Sequence, residues 1–396
     1  MTTARHNGVQ GYVSKGFEPV RDAFVENFSR RKELGAACCV YRHGKKVVDL
    51  WGGIRNKATG EPWEEDTMVL VYSSTKGLAA MTLALAHSRG WLDYEKPVCA
   101  YWPEFAQGGK EAITVRQLLA HQAGLSAFDE RVDKEVVADL DRLALVLARQ
   151  KPAWRPGSRQ AYHAISLGFY EGELLRRIDP QHRSLGQFFQ DEIATPLGLD
   201  FYMHLSEQIP NSRLATIENP TMLDMLLEAP LKLTLAMFSP RSTLSRSLSI
   251  GMILRDKNGY YFRNLEVPAG SGVGTARAIA RAYSVFATGG RELQLRPETL
   301  QLLKAPAIPA ERGFYDECLK SETRFSLGFG KPDQNSTFHS ESFGHPGSGG
   351  SFGGADPEAG IGYAYVTTVW ARHCHLIHGT WRYEVHCRRL QLDAHS

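Results

Sequence analysis

A serine and a lysine one helical turn apart are the most informative residues in this chain. Ser73 and Lys76 lie in Ser73-Ser74-Thr75-Lys76, an S-x-x-K pattern. Because residues three apart share a helix face, a neutral lysine amine can accept the proton of the serine hydroxyl. The N-terminus of the helix also favours negative charge developing nearby. The pair predicts a serine nucleophile with its own base, although a plain helix cap at Ser73 would give the same pattern.

A second S-x-x-K match, Ser29 to Lys32, lies in a different context. Ser29 ends an amphipathic segment with a charged face, so we expect its side chain and that of Lys32 to be solvated. Ser73 instead follows an apolar, β-prone run and opens a segment rich in small residues, which is typical of a strand-to-helix junction facing the interior. The context therefore favours Ser73.

Two later segments contain groups suited to acyl transfer. Tyr162 follows a Pro-Gly turn and is expected at a helix start, where its phenol could exchange protons; a half-buried packing tyrosine is the alternative. Residues 344–354 are dense in glycine and are expected at a sheet edge. Missing side chains there would let a substrate approach the backbone and accept hydrogen bonds from its N–H groups.

Length, composition and charge limit the classes of protein to which this chain can belong. The chain has 396 residues, of which 43% are hydrophobic, enough for two domains or one large α/β domain with insertions. With 46 basic and 43 acidic residues and no long basic run, no nucleic-acid partner is expected. The N-terminus has no apolar core of signal-peptide length, and no apolar run approaches a bilayer span, so we expect no membrane association and a cytoplasmic location. Six scattered cysteines do not suggest a disulfide framework, and whether the chain forms a homo-oligomer stays open.

The hydrophobic patterns place strands on both sides of a helical middle. They predict a helix over 17–34, a hairpin of strands 35–41 and 46–51, helices over 136–149, 167–178, 275–287 and 297–303, and strands over 325–328, 343–354 and 361–369. Residues 203–270 show few clear periods. We therefore predict an α+β fold in which both chain ends build an antiparallel sheet flanked by helices. Residues 1–95 and 271–396 would form this α/β domain, and 96–270 a mostly helical inserted domain, with a cleft between the two.

Four segments in this order resemble the serine β-lactamase and penicillin-binding-protein superfamily. They are the Ser73 box, residues 113–125 (ITVRQLLAHQAGL), residues 154–164 (WRPGSRQAYHA) and the His345-Pro346-Gly347 box. The resemblance covers about residues 17–369 and is closest to the class C-like family VIII carboxylesterases. It implies a β-lactamase-like fold and hydrolysis of a small-molecule ester, with no metal and no cofactor.

The resemblance also implies a role for each matching residue. Ser73 would be the nucleophile, Lys76 the amine that activates it, and Tyr162 the hydroxyl that relays protons to the leaving group and later from water. The N–H groups of Ser73 and Ser348 would form the oxyanion hole. Whether Lys76 or Tyr162 is the kinetically competent base stays open.

Two departures from the β-lactamase pattern bear on the substrate. Ala164 stands where β-lactamases have an asparagine that grips the acylamino group, and His345 stands where they have a lysine that attracts the carboxylate. Together with Gly347, these residues would contact the substrate, with His345 as a weak, pH-dependent cation. Both departures disfavour β-lactams and predict short-chain carboxylic esters. The alternatives are β-lactamase or D-Ala-D-Ala-type peptidase activity, or a non-catalytic scaffold of the same fold.

Three other features suggest different chemistry. Ser351 lies in a G-x-S-x-G match, but a turn into a strand follows it, whereas the α/β-hydrolase fold requires a helix there. His373 and His375 form a His-x-His pair in a tail rich in histidine and cysteine, yet no second pair at zinc-module spacing is evident. His121 is expected to be a packed, hydrogen-bonded histidine. The structure of the tail after residue 369 stays open between a weakly docked helix and a partly disordered segment.

Overall fold

An antiparallel sheet frames the structure, a computed structural model that describes residues 8–31, 33–218, 231–253, 263, 265–334, 336 and 338–368. Within these residues, nine strands pair in the order β1-β3-β2-β14-β13-β12-β11-β10, with β4 beside β3, and β5, β7 and β6 form a small second sheet. The strands are β1 Val9–Val13, β2 Gly35–Arg42, β3 Lys45–Asn56, β4 Glu61–Pro62, β5 Val69–Leu70, β6 Phe201–Tyr202, β7 Val273–Gly274, β8 Tyr315–Asp316, β9 Ser321–Glu322, β10 Phe325–Ser326, β11 Phe329–Gly330, β12 Phe343–Pro346, β13 Phe352–Asp356 and β14 Ile361–Thr367.

Helices cover the sheet and fill the middle of the chain. They are α1 Glu18–Arg30, α2 Thr75–Ser88, α3 Val115–Leu119, α4 Lys134–Ala138, α5 Leu140–Arg149, α6 Ser166–Ile178, α7 Leu185–Phe189, α8 Thr195–Leu197, α9 Leu231–Phe238, α10 Thr243–Ile253, α11 Ala276–Ala287 and α12 Pro297–Lys304. Two short 3-10 turns, Tyr72–Ser74 and Ser348–Gly350, lie in the segments that the sequence singled out for chemistry.

The expected α+β fold is confirmed. β14, near one chain end, pairs along its whole length with β2, near the other, and Cys39 faces Ala364 in this register. The predicted hairpin is present as β2 and β3, joined through His43 and Gly44. Closing the sheet between distant parts of the chain places residues 325–367 beside residues 9–56, so the sheet carries the glycine-rich segment toward α2.

Close packing of α11 on the sheet depends on small residues. Thr275 caps α11 by accepting a hydrogen bond from Ala278 N at 3.2 Å. On the facing strand, the position that a Cβ of Gly362 would occupy lies 2.2 Å from Ser284 N, a main-chain atom of α11. A side chain at this position would push helix and strand apart.

The proposed division into two domains stays a prediction, but the apolar core continues across it. One cluster of buried side chains runs from Leu78 on α2 through Leu147 on α5 and Phe188 on α7 to Val285 on α11. β7 also pairs with β6, from the predicted helical domain, as well as with β5. The helical part is therefore packed tightly against the sheet part in the described residues.

Some sequence expectations need correction or fall outside the described residues. The periodic stretch 136–149 is two helices, because the Asp139 side chain accepts a hydrogen bond from Arg142 N at 3.0 Å and starts a new helix. The strand expected over 325–328 is a tight hairpin of β10 and β11. Lys32 and the tail histidines and cysteines lie outside the described residues. Among the residues that are described, no helix is long and apolar enough to cross a membrane.

Replacing Gly362 by alanine should destabilise the fold, because the added methyl would overlap Ser284 N on α11. We expect a loss of about 1–3 kcal/mol in the free energy of unfolding, measured by urea denaturation. The matched control is Gly172→Ala on α6, where the nearest atom to the new Cβ is 3.9 Å away. Alanine there should be neutral or stabilise by up to about 1 kcal/mol. Equal effects of the two changes would contradict this account of the helix–sheet contact.

Candidate active site

Ser73 lies in a strained turn between β5 and α2. The preceding residue, Tyr72, has a φ of +47°, a left-handed conformation that residues other than glycine rarely adopt. Ser73 is the second residue of the 3-10 turn, and α2 begins two residues later at Thr75, rather than at Ser73 as the sequence suggested. The strand-to-helix junction is present, and the partly exposed Ser73 side chain stands at its tip.

Lys76 is buried beside Ser73 and has three hydrogen-bond partners. Its Nζ lies 3.0 Å from Ser73 Oγ, 2.7 Å from Ala164 O and 2.8 Å from Ala269 O. The whole residue is 0% exposed. Burial lowers the pKa of Lys76 from 10.5 to about 7, so a large fraction of the amine is neutral near neutral pH.

The two carbonyl oxygens determine how a neutral Lys76 is oriented. A neutral amine has two N–H donors and one lone pair, and carbonyl oxygens can only accept. When the two N–H groups donate to Ala164 O and Ala269 O, the lone pair is left for the third neighbour, Ser73 Oγ. The geometry therefore suits transfer of the Ser73 proton to Lys76.

A buried carboxyl group acts on the charge of Lys76 from α6. Glu171 is 0% exposed, and neither side-chain oxygen has a hydrogen-bond partner among the described residues. Burial raises the pKa of Glu171 to about 8, while the charge of Lys76 opposes this rise. In return, Glu171 raises the pKa of Lys76 against the larger effect of burial. Each of the two groups therefore shifts the pKa of the other, and burial has the larger effect on both.

Tyr162 lies over the lysine in an irregular segment, four residues before α6, and not at a helix start as expected from the sequence. Lys76 Nζ is 4.9 Å from the centre of its ring. Burial raises the pKa of Tyr162 above its ordinary range, so the phenol is protonated near neutral pH. Ser73 is close enough to offset part of this rise, but the hydroxyl forms no hydrogen bond with any residue described by the structure.

The main chain around Tyr162 is held from three sides. Asp316, a buried residue, accepts a hydrogen bond from Tyr162 N at 3.1 Å. Ser247 on α10 accepts one from Ala164 N at 3.0 Å and donates one to Tyr162 O at 3.2 Å. His121 provides the third contact: its carbonyl oxygen accepts from Ala161 N at 3.0 Å, and its Nδ1 accepts from His163 N at 3.0 Å.

His121 is a packed histidine, with its ring 4.9 Å from that of Tyr162. Because Nδ1 accepts a hydrogen bond, the proton of the neutral ring lies on Nε2. Burial, with smaller effects from His163 and Lys76, lowers the pKa of His121 well below its ordinary range. His121 is therefore uncharged and supports the Tyr162 segment.

His345 supplies an uncharged imidazole in place of the pH-dependent cation that the sequence suggested. Its ring lies 6.0 Å from that of Tyr162, and its Nδ1 donates to Pro346 O at 2.7 Å, which leaves Nε2 unprotonated. Burial, and secondly the charge of Lys76, lowers the pKa of His345 to about 3. The residue is 1% exposed, and solvation of a cation there would be poor.

The glycine-rich loop directly contacts the turn Tyr72–Ser74, which we call the nucleophile turn after the role predicted for Ser73. Only Gly344 of β12 pairs with β11 in the described residues, so the strand is free of that neighbour from His345 onward. The Cβ position of Gly347 lies 2.1 Å from Val71 O and 2.8 Å from Ser74 Oγ, so only glycine fits. Ser348 then begins a 3-10 turn, and its N–H, like that of Ser73, is in the first turn of a helix, where no intrahelical acceptor exists.

Ser351, the alternative nucleophile, has no hydrogen bond from its Oγ to a titratable side chain in the part of the chain that the structure describes. It is 2% exposed, and its Oγ accepts a hydrogen bond from Thr367 N at 3.3 Å. The residues after it form β13 and not a helix. These contacts do not support Ser351 as a nucleophile.

The structure brings together every residue that the sequence nominated: Ser73, Lys76, Tyr162, Ala164, His345, Gly347 and Ser348. Sequence reasoning missed Asp316, Ser247, Ala269 and Glu171. Ala269 and Ser247 act through main-chain contacts or a common side chain, so no motif marks them. A charged residue in an apolar periodic stretch, as Glu171 is in α6, is a signal that could have been noticed.

Comparison with known proteins shows the family to which the chain belongs. The family model described as Beta-lactamase matches residues 20–378. The Esterase/beta-lactamase LipL of Mycobacterium tuberculosis is 34% identical over 366 residues, 90% of this chain and 82% of that protein. The crystal structure of a family VIII carboxylesterase has a TM-score of 0.81 at 33% identity, covering 98% of this chain and 99% of that chain. A penicillin-binding-protein homologue from Caulobacter crescentus has a TM-score of 0.81 at 31% identity, covering 97% and 99%. This chain belongs to the beta-lactamase family.

Proposed function

We propose that this protein is a serine hydrolase that cleaves short-chain carboxylic esters through an acyl-enzyme on Ser73. The observation that carries the proposal is the 3.0 Å contact between Lys76 Nζ and Ser73 Oγ, with the other two hydrogen-bonding directions of the amine occupied by carbonyl oxygens. The esterase names of LipL and of the family VIII carboxylesterase support the same class of reaction.

Acylation begins when Ser73 Oγ attacks the ester carbonyl carbon. The new O–C bond forms as the hydroxyl proton moves to Lys76 Nζ, and the carbonyl electrons move to oxygen. The N–H groups of Ser73 and Ser348 stabilise this oxyanion. When the tetrahedral intermediate collapses, the C–O bond to the alcohol breaks. Tyr162 donates its proton to the departing alcohol, and Lys76 returns a proton to Tyr162.

Deacylation reverses the proton path with water as the nucleophile. Water loses its proton toward the Lys76 and Tyr162 pair and attacks the acyl carbon; the bond to Ser73 Oγ then breaks, and Ser73 is reprotonated. The protonated phenol of Tyr162, buried beside a lysine with a pKa of about 7, can pass protons in either direction.

The surroundings of Ser73 favour an uncharged substrate. Ala164 offers no amide, and the neutral His345 offers no cation to a carboxylate. Ala164 and Tyr162 also pack against Ala236 on α9 and Leu244 on α10, so apolar side chains fill the space behind them. These features support short acyl groups over the acylamino carboxylates of β-lactam drugs.

β-Lactam hydrolysis is the second candidate, because LipL is named both esterase and beta-lactamase. A lactam and an ester share the same attack on a carbonyl carbon, so one nucleophile can serve both. The non-catalytic scaffold is disfavoured, since the contacts of Lys76 would have no purpose in a binding module.

Ser73→Ala should reduce hydrolysis of p-nitrophenyl butyrate to near background, since no other serine or threonine hydroxyl forms a hydrogen bond with Lys76 in the described residues. Ser351→Ala should retain turnover far above that of Ser73→Ala, because its Oγ contacts only main chain. Both variants are measured with the ester and with nitrocefin, and a fluorophosphonate adduct is located by mass spectrometry.

The wild-type ester-to-nitrocefin ratio decides between the two candidate activities. We expect the ester to be preferred and the adduct to lie on Ser73. If a folded Ser73→Ala variant keeps its turnover while Ser351→Ala loses it, the proposed nucleophile is wrong.

The pH profile should report the titration of Lys76. The neutral amine is the competent form and its pKa is about 7, so kcat/KM should fall about tenfold per pH unit below that value and level off above it. His345, with a pKa of about 3, stays neutral throughout this range. The measurement is ester hydrolysis from about pH 5 to about pH 9 under constant ionic strength.

Two variants identify the group that titrates. Glu171, with a pKa of about 8, is mostly protonated and uncharged where Lys76 titrates, so Glu171→Gln should leave the acidic limb near its wild-type position with a similar plateau. Lys76→Arg, which stays charged, should give low activity with no such limb. A limb that persists unchanged in a folded Lys76→Arg variant would show that Lys76 is not the titrating base.

A further inference from the structure

The proposed oxyanion hole is assembled from two parts of the chain that are far apart in sequence. One N–H belongs to Ser73 in the turn before α2, and the other to Ser348 in the loop after β12. Donors stabilise an oxyanion only when both lie about 2.7–3.1 Å from it. The relative position of the two segments must therefore be held closely.

The glycine-rich loop has few side chains with which to hold itself in place. Gly349 and Gly350 have φ of +88° and +111°, values that favour glycine. Without packed side chains, main-chain hydrogen bonds must define the loop. Gly347 N donates to Ser351 O at 2.6 Å, which closes the loop around Ser348.

One side chain connects this closed loop to the nucleophile turn. Ser74 Oγ donates to Ser351 O at 3.0 Å, a bond between residues 277 positions apart. Ser74 is 1% exposed, so its hydroxyl does not exchange this partner for bulk water. Ser351 O thus accepts both from the loop and from the residue directly after the nucleophile.

Resting on the function proposed above, we propose that Ser74 is a positioning residue: its bond to Ser351 O sets the spacing between the Ser73 and Ser348 N–H groups. This gives a role to a variable position of the S-x-x-K pattern. It also explains Ser351, which contributes its carbonyl oxygen to the site and not a nucleophilic hydroxyl.

Removing the hydroxyl should loosen the oxyanion hole without dismantling the loop. In Ser74→Ala, Gly347 N still donates to Ser351 O, so the loop stays closed, but its link to the nucleophile turn is lost. Because the oxyanion exists only after attack, kcat should fall about tenfold and KM change less than about twofold. Ser74→Cys has a weaker donor of similar size, so its kcat should lie between those of the wild type and Ser74→Ala.

The matched control is Ser88→Ala at the end of α2. Ser88 is also buried, and its hydroxyl accepts one hydrogen bond from Arg296 N at 2.6 Å. This change also deletes one hydrogen bond between a buried serine and the main chain, but at the end of α2 that lies away from the Ser73 turn. It should lower thermal stability to a similar extent as Ser74→Ala, yet leave kcat within about twofold of wild type.

A transition-state analogue distinguishes positioning from general damage. An alkylboronic acid bound to Ser73 places an oxygen in the oxyanion hole, so its inhibition constant should rise in Ser74→Ala by about the factor lost from kcat/KM. Ser88→Ala should not change this constant.

The proposal is overturned if Ser74→Ala keeps its kcat and boronate affinity near those of the wild type. It is also overturned if Ser88→Ala loses as much kcat and boronate affinity as Ser74→Ala. Should Ser74→Ala fail to fold, the same two measurements on Ser74→Cys decide. Failure of the proposed function would give a different result, because the Ser73→Ala variant would then hydrolyse the ester as fast as the wild type.

Discussion

The buried amine of Lys76 is the constraint on which the rest of the site depends. A buried ammonium ion is costly, and lowering its pKa to about 7 lets the protein hold it partly neutral. The remaining N–H groups then need acceptors, and two distant segments provide Ala164 O and Ala269 O. Ala164 lies just before α6 and Ala269 just before β7. Both segments must therefore pack against α2 to place their carbonyl groups beside Lys76.

Residues 113–125 support the segment that carries Tyr162. His121 bonds the Tyr162 segment through its carbonyl oxygen and its ring, and Leu125 N donates to His163 Nε2 at 3.0 Å. With Asp316 and Ser247 on the other sides, these contacts hold the Tyr162 ring near Lys76 although the segment has no regular secondary structure. Such rigid support suits the proton transfer that we propose for Tyr162.

The site contains several titratable groups, but burial keeps most of them uncharged. The pKa of His345 and that of His163 are lowered to about 3 and about 4, and that of Glu171 is raised to about 8. In such surroundings, a small developing charge such as an oxyanion interacts strongly with nearby dipoles. A fixed cation, as β-lactamases place in the third box, is absent at His345, which agrees with an uncharged ester as the substrate.

Local spacing and residue type were enough to predict the family, a sheet built from both ends of the chain and the residues of the candidate site. Those residues are Ser73, Lys76, Tyr162, Ala164, His345, Gly347 and Ser348. The sequence also favoured Ser73 over Ser351, because a turn into a strand and not a helix was expected after Ser351; in the structure β13 follows it directly. The neutral state of His345, the absence of a helix start at Tyr162 and the surroundings of Asp316, Glu171 and Ser74 emerged only from the packed structure. Burial, main-chain carbonyls and hydrogen bonds across 277 positions arise when distant segments pack, so no local pattern encodes them.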